Sequence, residues 1–91
     1  MSKYRIEVSA SAEKQLRKLQ KSDQVRVVRA IGALAQQPRP RGCRRLQGYD
    51  DVFRLRVGSF RIIYSIEDRR LLIIILKLGH RKDIYRQDVP R

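Results

Sequence analysis

The sequence is poor in the residues that most often carry chemistry or crosslinks. Its 91 residues include no tryptophan, one cysteine (Cys43) and one histidine (His80). Only 9 are acidic, against 22 lysines and arginines. A lone cysteine excludes an internal disulfide framework and suits a reducing cytoplasm. With one histidine and scattered acids, the clustered ligands of a metal-dependent nuclease are missing, so neither metal nor cofactor is expected. Asp50-Asp51 reads as a turn. Cys43 has no adjacent histidine and reads as inert. No glycine-rich phosphate loop is present. The longest apolar run, residues 71–76, is far short of the about 18 residues a membrane span needs. The start, "MSKYRIEVS", has no apolar stretch of the kind a signal peptide carries. The expected location is the cytoplasm, with no membrane partner.

What is abundant is positive charge. The formal net charge is +13, well beyond what solubility requires and costly in self-repulsion. A polyanionic partner offsets that cost, and nucleic acid is the first candidate. An anionic membrane ranks lower because no basic amphipathic helix dominates the chain. An acidic protein also fits. The hydrophobic fraction of 42% argues against disorder, and the length suits one domain over residues 1–91.

Tyr4, Ile6 and Val8 alternate with Arg5 and Glu7, which predicts a half-buried strand. Ser9 or Ser11 then caps a helix carrying Ala12, Leu16 and Leu19. A second helix is expected from Ser22-Asp23, with Val25, Val28, Ile31 and Leu34 as its apolar stripe, ending at Pro38. The short turn between the helices predicts an antiparallel hairpin. A basic loop, "RPRGCRRLQGYDD" (residues 39–51), follows, with Leu46 as its anchor. Three strands complete the chain: 52–57, 60–66 and 71–78. The last does not alternate at 71–76, so it is expected to be central and covered on both faces. The order β-α-α-β-β-β implies an α+β fold, an antiparallel-rich sheet with a helix hairpin packed on one face.

The stretch "FRLRVGSFRIIY" (residues 53–64) carries the main functional signal. Gly58-Ser59 suits a two-residue type II′ hairpin loop. That loop sets a register in which Val57 faces Phe60, Arg56 faces Arg61, Leu55 faces Ile62 and Arg54 faces Ile63. Side chains alternate between faces, so Arg54, Arg56 and Arg61 share one face while Phe53, Leu55, Val57, Phe60, Ile62 and Tyr64 share the other. Like charges opposite one another destabilise a sheet. The returning third strand brings His80 and Arg81 toward the same corner, and Arg44 and Arg45 of the basic loop can border it. Guanidinium groups are planar, forked and always charged, which suits phosphate. The alternative is a solvated arginine face.

A phosphate site without metal can still cut RNA, because RNA carries its own nucleophile, the 2′-OH. Such a site needs a base, cations for the transition-state charge and help for the leaving oxygen. His80 and Tyr85 are candidate proton carriers. Histidine has a suitable ordinary pKa; tyrosine needs positive neighbours to lower its own. Equally, Tyr85 can be a ring that packs the tail, and His80 an exposed loop residue.

The segments "RLQGYDDVFRLRVGSFRIIY" (residues 45–64) and "LKLGHRKDIYR" (residues 76–86) resemble the RelE family of bacterial toxins, within the RelE/ParE superfamily. The likeness extends over nearly the whole chain. It implies a RelE-like fold and a toxin of a type II toxin–antitoxin pair, neutralised by a cognate acidic antitoxin. It also implies a ribosome-dependent, metal-independent mRNA endonuclease. Family members enter the ribosomal 30S A site and cut the mRNA there by 2′-OH attack, leaving a 2′,3′-cyclic phosphate. The complex with antitoxin is expected to bind operator DNA. By position, Arg54, Arg56, Arg61, Arg81 and Tyr85 correspond to the catalytic set. Arg44, Arg45, His80, Lys82 and Arg86 are the expected RNA-binding residues. Some members carry lysine at the positions of Arg54 and Arg56. Arginine cannot lose its proton as lysine can, so a base role at position 54 moves to Tyr85, with His80 able to share it. ParE-type relatives instead poison DNA gyrase, and a non-catalytic nucleic-acid-binding module is a third possibility.

Overall fold

A computed structural model describes residues 3–80. Arg81, Lys82, Tyr85 and Arg86 lie outside the described residues. Five strands form one sheet in the order β1-β5-β4-β3-β2. They are β1 (Arg5–Val8), β2 (Arg44–Arg45), β3 (Val52–Val57), β4 (Phe60–Glu67) and β5 (Leu72–His80). β1 runs parallel to β5, and the other pairings are antiparallel. Two helices, α1 (Ala10–Arg17) and α2 (Lys21–Leu34), cover one face. The expected α+β fold is present, with one strand more than the sequence pattern implied.

The added strand is β2, inside what reads as a basic loop. Two residues are too few for alternation to register as a strand, yet they pair with β3. Leu46 anchors as expected: it packs with Tyr49 and Leu76 against Val52 and Ile63, a small second core on the face away from the helices. This cluster also explains the unbroken apolar run before Lys77. β5 lies between β1 and β4. A bulge shifts the β4–β5 register between Ile63, opposite Lys77, and Tyr64, opposite Ile75. Ile73, Ile75 and Leu78 join the main core, while Leu76 joins the second one.

Local chemistry sets the helix ends. The Ser9 hydroxyl accepts from the Ala12 amide at 3.1 Å and donates to the Leu76 carbonyl at 2.9 Å. It therefore caps α1 and ties it to β5. The Gln24 side-chain amide donates to the carbonyls of Leu19 (3.0 Å) and Arg17 (3.3 Å), covering acceptors that α1 leaves open at its end. α2 begins at Lys21, with Gln20 as its N-cap and no side-chain cap bond. The start is therefore one residue before the expected Ser22.

The apolar stripe of α2 needs correction. Its buried residues are Val27, Ile31 and Leu34, while Val25 and Val28 are each 51% exposed. Steps of three residues lag about 60° behind a full turn. A stripe read as 25, 28, 31, 34 therefore winds from the solvent side to the core, whereas 27, 31, 34 stays on one line. Val27→Ala is accordingly expected to cost about 2 kcal/mol, from lost burial and the cavity left behind. Val28→Ala should stay within about 0.5 kcal/mol of the parent. Urea midpoints of the two variants check this; the reverse order would contradict the packing.

Candidate functional site

The β3–β4 hairpin has the register that its loop predicts. Val57 pairs with Phe60, Arg56 with Arg61, Leu55 with Ile62 and Arg54 with Ile63. Gly58 has φ +60, and Ser59 is not among the positive-φ residues, as a type II′ turn requires. The Nη1 of Arg26, from α2, would stand 2.9 Å from a Cβ at Gly58, so any side chain there meets both backbone strain and a guanidinium.

The apolar face of this hairpin explains how it tolerates the charge on the other. Phe53, Leu55, Phe60, Ile62 and Tyr64 are buried against Val27, Ile31 and Leu34. Phe53 and Tyr64 stack with ring centroids 6.0 Å apart. Each such side chain contributes about 1.5–3 kcal/mol by leaving water, more than an arginine pair near solvent costs.

On the opposite face, Arg44, Arg54, Arg56 and Arg61 line a pocket of about 300 Å³ together with Gly42. Arg44 arrives because β2 places it directly opposite Arg54. Arg61 is the deepest, at 9% exposure; Arg54 is half-buried and Arg44 and Arg56 are exposed. Among the described residues, no carboxylate lines the pocket. Among the described residues, no group of three histidine, cysteine or acidic side chains gathers as metal ligands would. The chemistry on offer is planar, forked and cationic, which fits a phosphodiester or its pentacoordinate transition state.

The segment before β2 is held by several bonds. The Tyr64 hydroxyl donates to the Pro38 carbonyl at 2.8 Å, and burial pushes its pKa up from the usual phenol value. Arg39 donates to both carboxylate oxygens of Asp68 (2.9 and 3.4 Å) and lies 5.2 Å from the Phe53 ring centroid. The Tyr4 hydroxyl donates to the same carboxylate at 2.5 Å. Arg39 first, then Tyr4, holds the Asp68 carboxyl below its usual range. Cys43 packs on the main core, and its amide bonds to the Pro40 carbonyl at 3.1 Å. Gly42, at φ +94, supplies the turn that leads into Arg44.

Other expected site residues are placed differently. Arg45 pairs with Phe53, which turns it away from the Arg44 face. His80 reaches the expected corner, opposite Phe60, but its ring stands on Phe60 at 4.9 Å. Phe60 belongs to the helix-covered core, so His80 lies across the sheet from the guanidinium groups. Residues that cross-strand pairing brings together share a face, and this alone separates His80 from Arg61. Two contributors were not legible in the sequence. Gly42 lines the pocket without a side chain. Lys77, opposite Ile63, adds a cation to the arginine face, where the bulge obscures simple alternation.

Comparison with known proteins agrees with this architecture. Residues 6–85 match the family described as the ParE toxin of type II toxin-antitoxin systems, parDE. Toxin RelG of Mycobacterium tuberculosis is 32% identical over 85 residues, covering 92% of this chain and 98% of RelG. Among solved structures, the RelBE2 toxin–antitoxin complex from M. tuberculosis contains a chain that is 30% identical, with TM-score 0.78. That match covers 89% of this chain and 94% of the other. The archaeal RelE–RelB complex from Pyrococcus horikoshii contains one that is 32% identical, also with TM-score 0.78, covering 87% and 96% respectively. Because these likenesses run through the helices, the sheet and the arginine hairpin alike, the chain belongs to the RelE family of toxins of type II toxin–antitoxin systems, within the RelE/ParE superfamily.

Proposed function

We propose that this toxin is a ribosome-dependent mRNA endonuclease that works without metal and blocks translation. The observation that carries the proposal is the meeting of Arg44, Arg54, Arg56 and Arg61 in one pocket. In the reaction, the 2′-oxygen of a nucleotide loses its proton and bonds to the adjacent phosphorus. The bond from phosphorus to the 5′-oxygen breaks, and that oxygen takes up a proton. The products are a 2′,3′-cyclic phosphate and a 5′-OH end. Arg56 and Arg61 hold the scissile phosphate and meet the growing negative charge, where fixed cations act most strongly. Arg81 assists the leaving oxygen and Tyr85 stacks on or activates the attacking nucleotide, roles that rest on the family resemblance. Arg54 binds rather than acts as base. No cofactor is involved.

The working location is the cytoplasm, at the ribosomal A site. An acidic antitoxin covers the basic surface, as RelB accompanies the related chains of the M. tuberculosis and P. horikoshii complexes. The pair then binds operator DNA. In vitro translation with mapping of mRNA ends tests the reading. Cuts should appear only in translated stretches and carry cyclic phosphate. A second reading, gyrase poisoning, is favoured by the ParE description of the matching family. It predicts DNA breaks with the mRNA intact, and primer extension on a translated message separates the two.

A further inference from the structure

The arginines of the pocket are arranged in ranks. Arg44 and Arg54 face each other across β2 and β3. Arg56 and Arg61 face each other across β3 and β4. Arg54 and Arg56 stand two residues apart on the same strand, hence on the same face and about 7 Å apart along it. Successive phosphates of an extended nucleic-acid strand, one sugar apart, repeat at a similar spacing. The pocket of about 300 Å³ has roughly ten times the share of volume that a water molecule takes, which is more than one phosphate group fills.

We infer that the pocket is two phosphate subsites, Arg56 with Arg61 holding one phosphate and Arg44 with Arg54 holding its neighbour on the same strand. The inference rests on the proposed reading of the pocket as an RNA site, and it names what each arginine pair contacts. Arg61 is the buried member of the first pair, which suits the phosphate where charge develops. Arg44 sits on the edge strand of the sheet and is exposed, which suits a phosphate that only needs to be held. The second subsite therefore sets the register of the strand, so that the reacting phosphate falls on Arg56 and Arg61. Gly42 also lines the pocket and presents only backbone there.

The test uses two 2′-O-methyl oligoribonucleotides, which cannot supply the nucleophile: a dinucleotide with one internal phosphate and a trinucleotide with two, both lacking terminal phosphates. Affinities are measured by NMR titration of the free toxin at several salt concentrations. Wild type should bind the trinucleotide about tenfold tighter, the worth of a charge-assisted contact. Its salt slope should be steeper by about 0.7, one phosphate contact on a single strand. Arg44→Ala should remove the trinucleotide advantage and the extra slope, while changing dinucleotide affinity less than about twofold. Arg44→Lys should restore the slope, because a point charge suffices for counterion release. Arg56→Ala should weaken both probes.

An Arg44→Ala effect equal on both probes, or absent from both, overturns the division into subsites. The same holds if wild type binds both probes without a trinucleotide advantage, although the RNA reading then stands. Failure of wild type to bind either probe overturns the subsites, whereas the RNA reading falls only if mRNA on translating ribosomes stays uncut. Because Arg44 is exposed on an edge strand, its variants should unfold at the parent's temperature.

Discussion

Arg61→Ala is expected to lower mRNA cutting on translating ribosomes by about 10²–10³-fold, the usual cost of removing one preorganised donor from a transition-state site. The effect should lie in the rate of the chemical step more than in binding, because three other arginines of the pocket still attract the strand. Arg61→Lys should bind RNA nearly as well yet remain slow, since an ammonium lacks the fork that spans two phosphate oxygens. Arg61 is 9% exposed, so alanine also removes a packed stem. Arg61→Met keeps most of that packing and should be as inactive as alanine. Arg70, paired with Glu67 on the surface at 2.9 Å, supplies the charge control: Arg70→Ala should cut normally. Thermal unfolding of each variant establishes that it is folded. Full cutting by folded Arg61→Ala would remove the arginine pocket from the mechanism.

Ile75→Ala should be the most damaging of the simple core truncations, at about 2–5 kcal/mol. Ile75 has no exposure and sits mid-sheet, opposite Val8 on β1 and Tyr64 on β4. A domain of this kind has only about 5–15 kcal/mol of stability in all, so the variant should lose a large part of it. The neighbouring Ile74→Ala should cost about 1 kcal/mol, because Ile74 points to the other face and is only half-buried. Denaturant unfolding of the two variants makes the comparison. Equal losses would mean that β5 is not held in the register described.

These two variants bracket what could be read from the chain. The place of Arg61 opposite Arg56 was legible because a two-residue glycine loop sets the register of a hairpin by itself. Everything from Arg54 to Ile63 then followed from alternation, and the pairing of Arg56 with Arg61 agrees with it. The isoleucines of β5 were not legible one by one. A run of apolar residues has no period, and the bulge after Ile75 changes which side chains face the helices. The valines of α2 were misread for a related reason: two stripes fit the spacing, and only contact with the sheet chooses between them. His80 came to the predicted corner but on the other face, because its partner Phe60 belongs to the core.

By itself the sequence determined the α+β order, the hairpin register, the shared face of Arg54, Arg56 and Arg61, and the large excess of positive charge. These depend on local dihedral preferences, alternation and net charge, all of which act over a few residues or over the whole composition. Tertiary structure alone decided that Arg44 completes the pocket, that Arg45 and His80 turn away from it, and that Val27 rather than Val25 or Val28 fills the core. Each of these depends on which strand lies beside which, and on which side of a helix meets the sheet. That is settled by burial across distant parts of the chain, where no local pattern reaches.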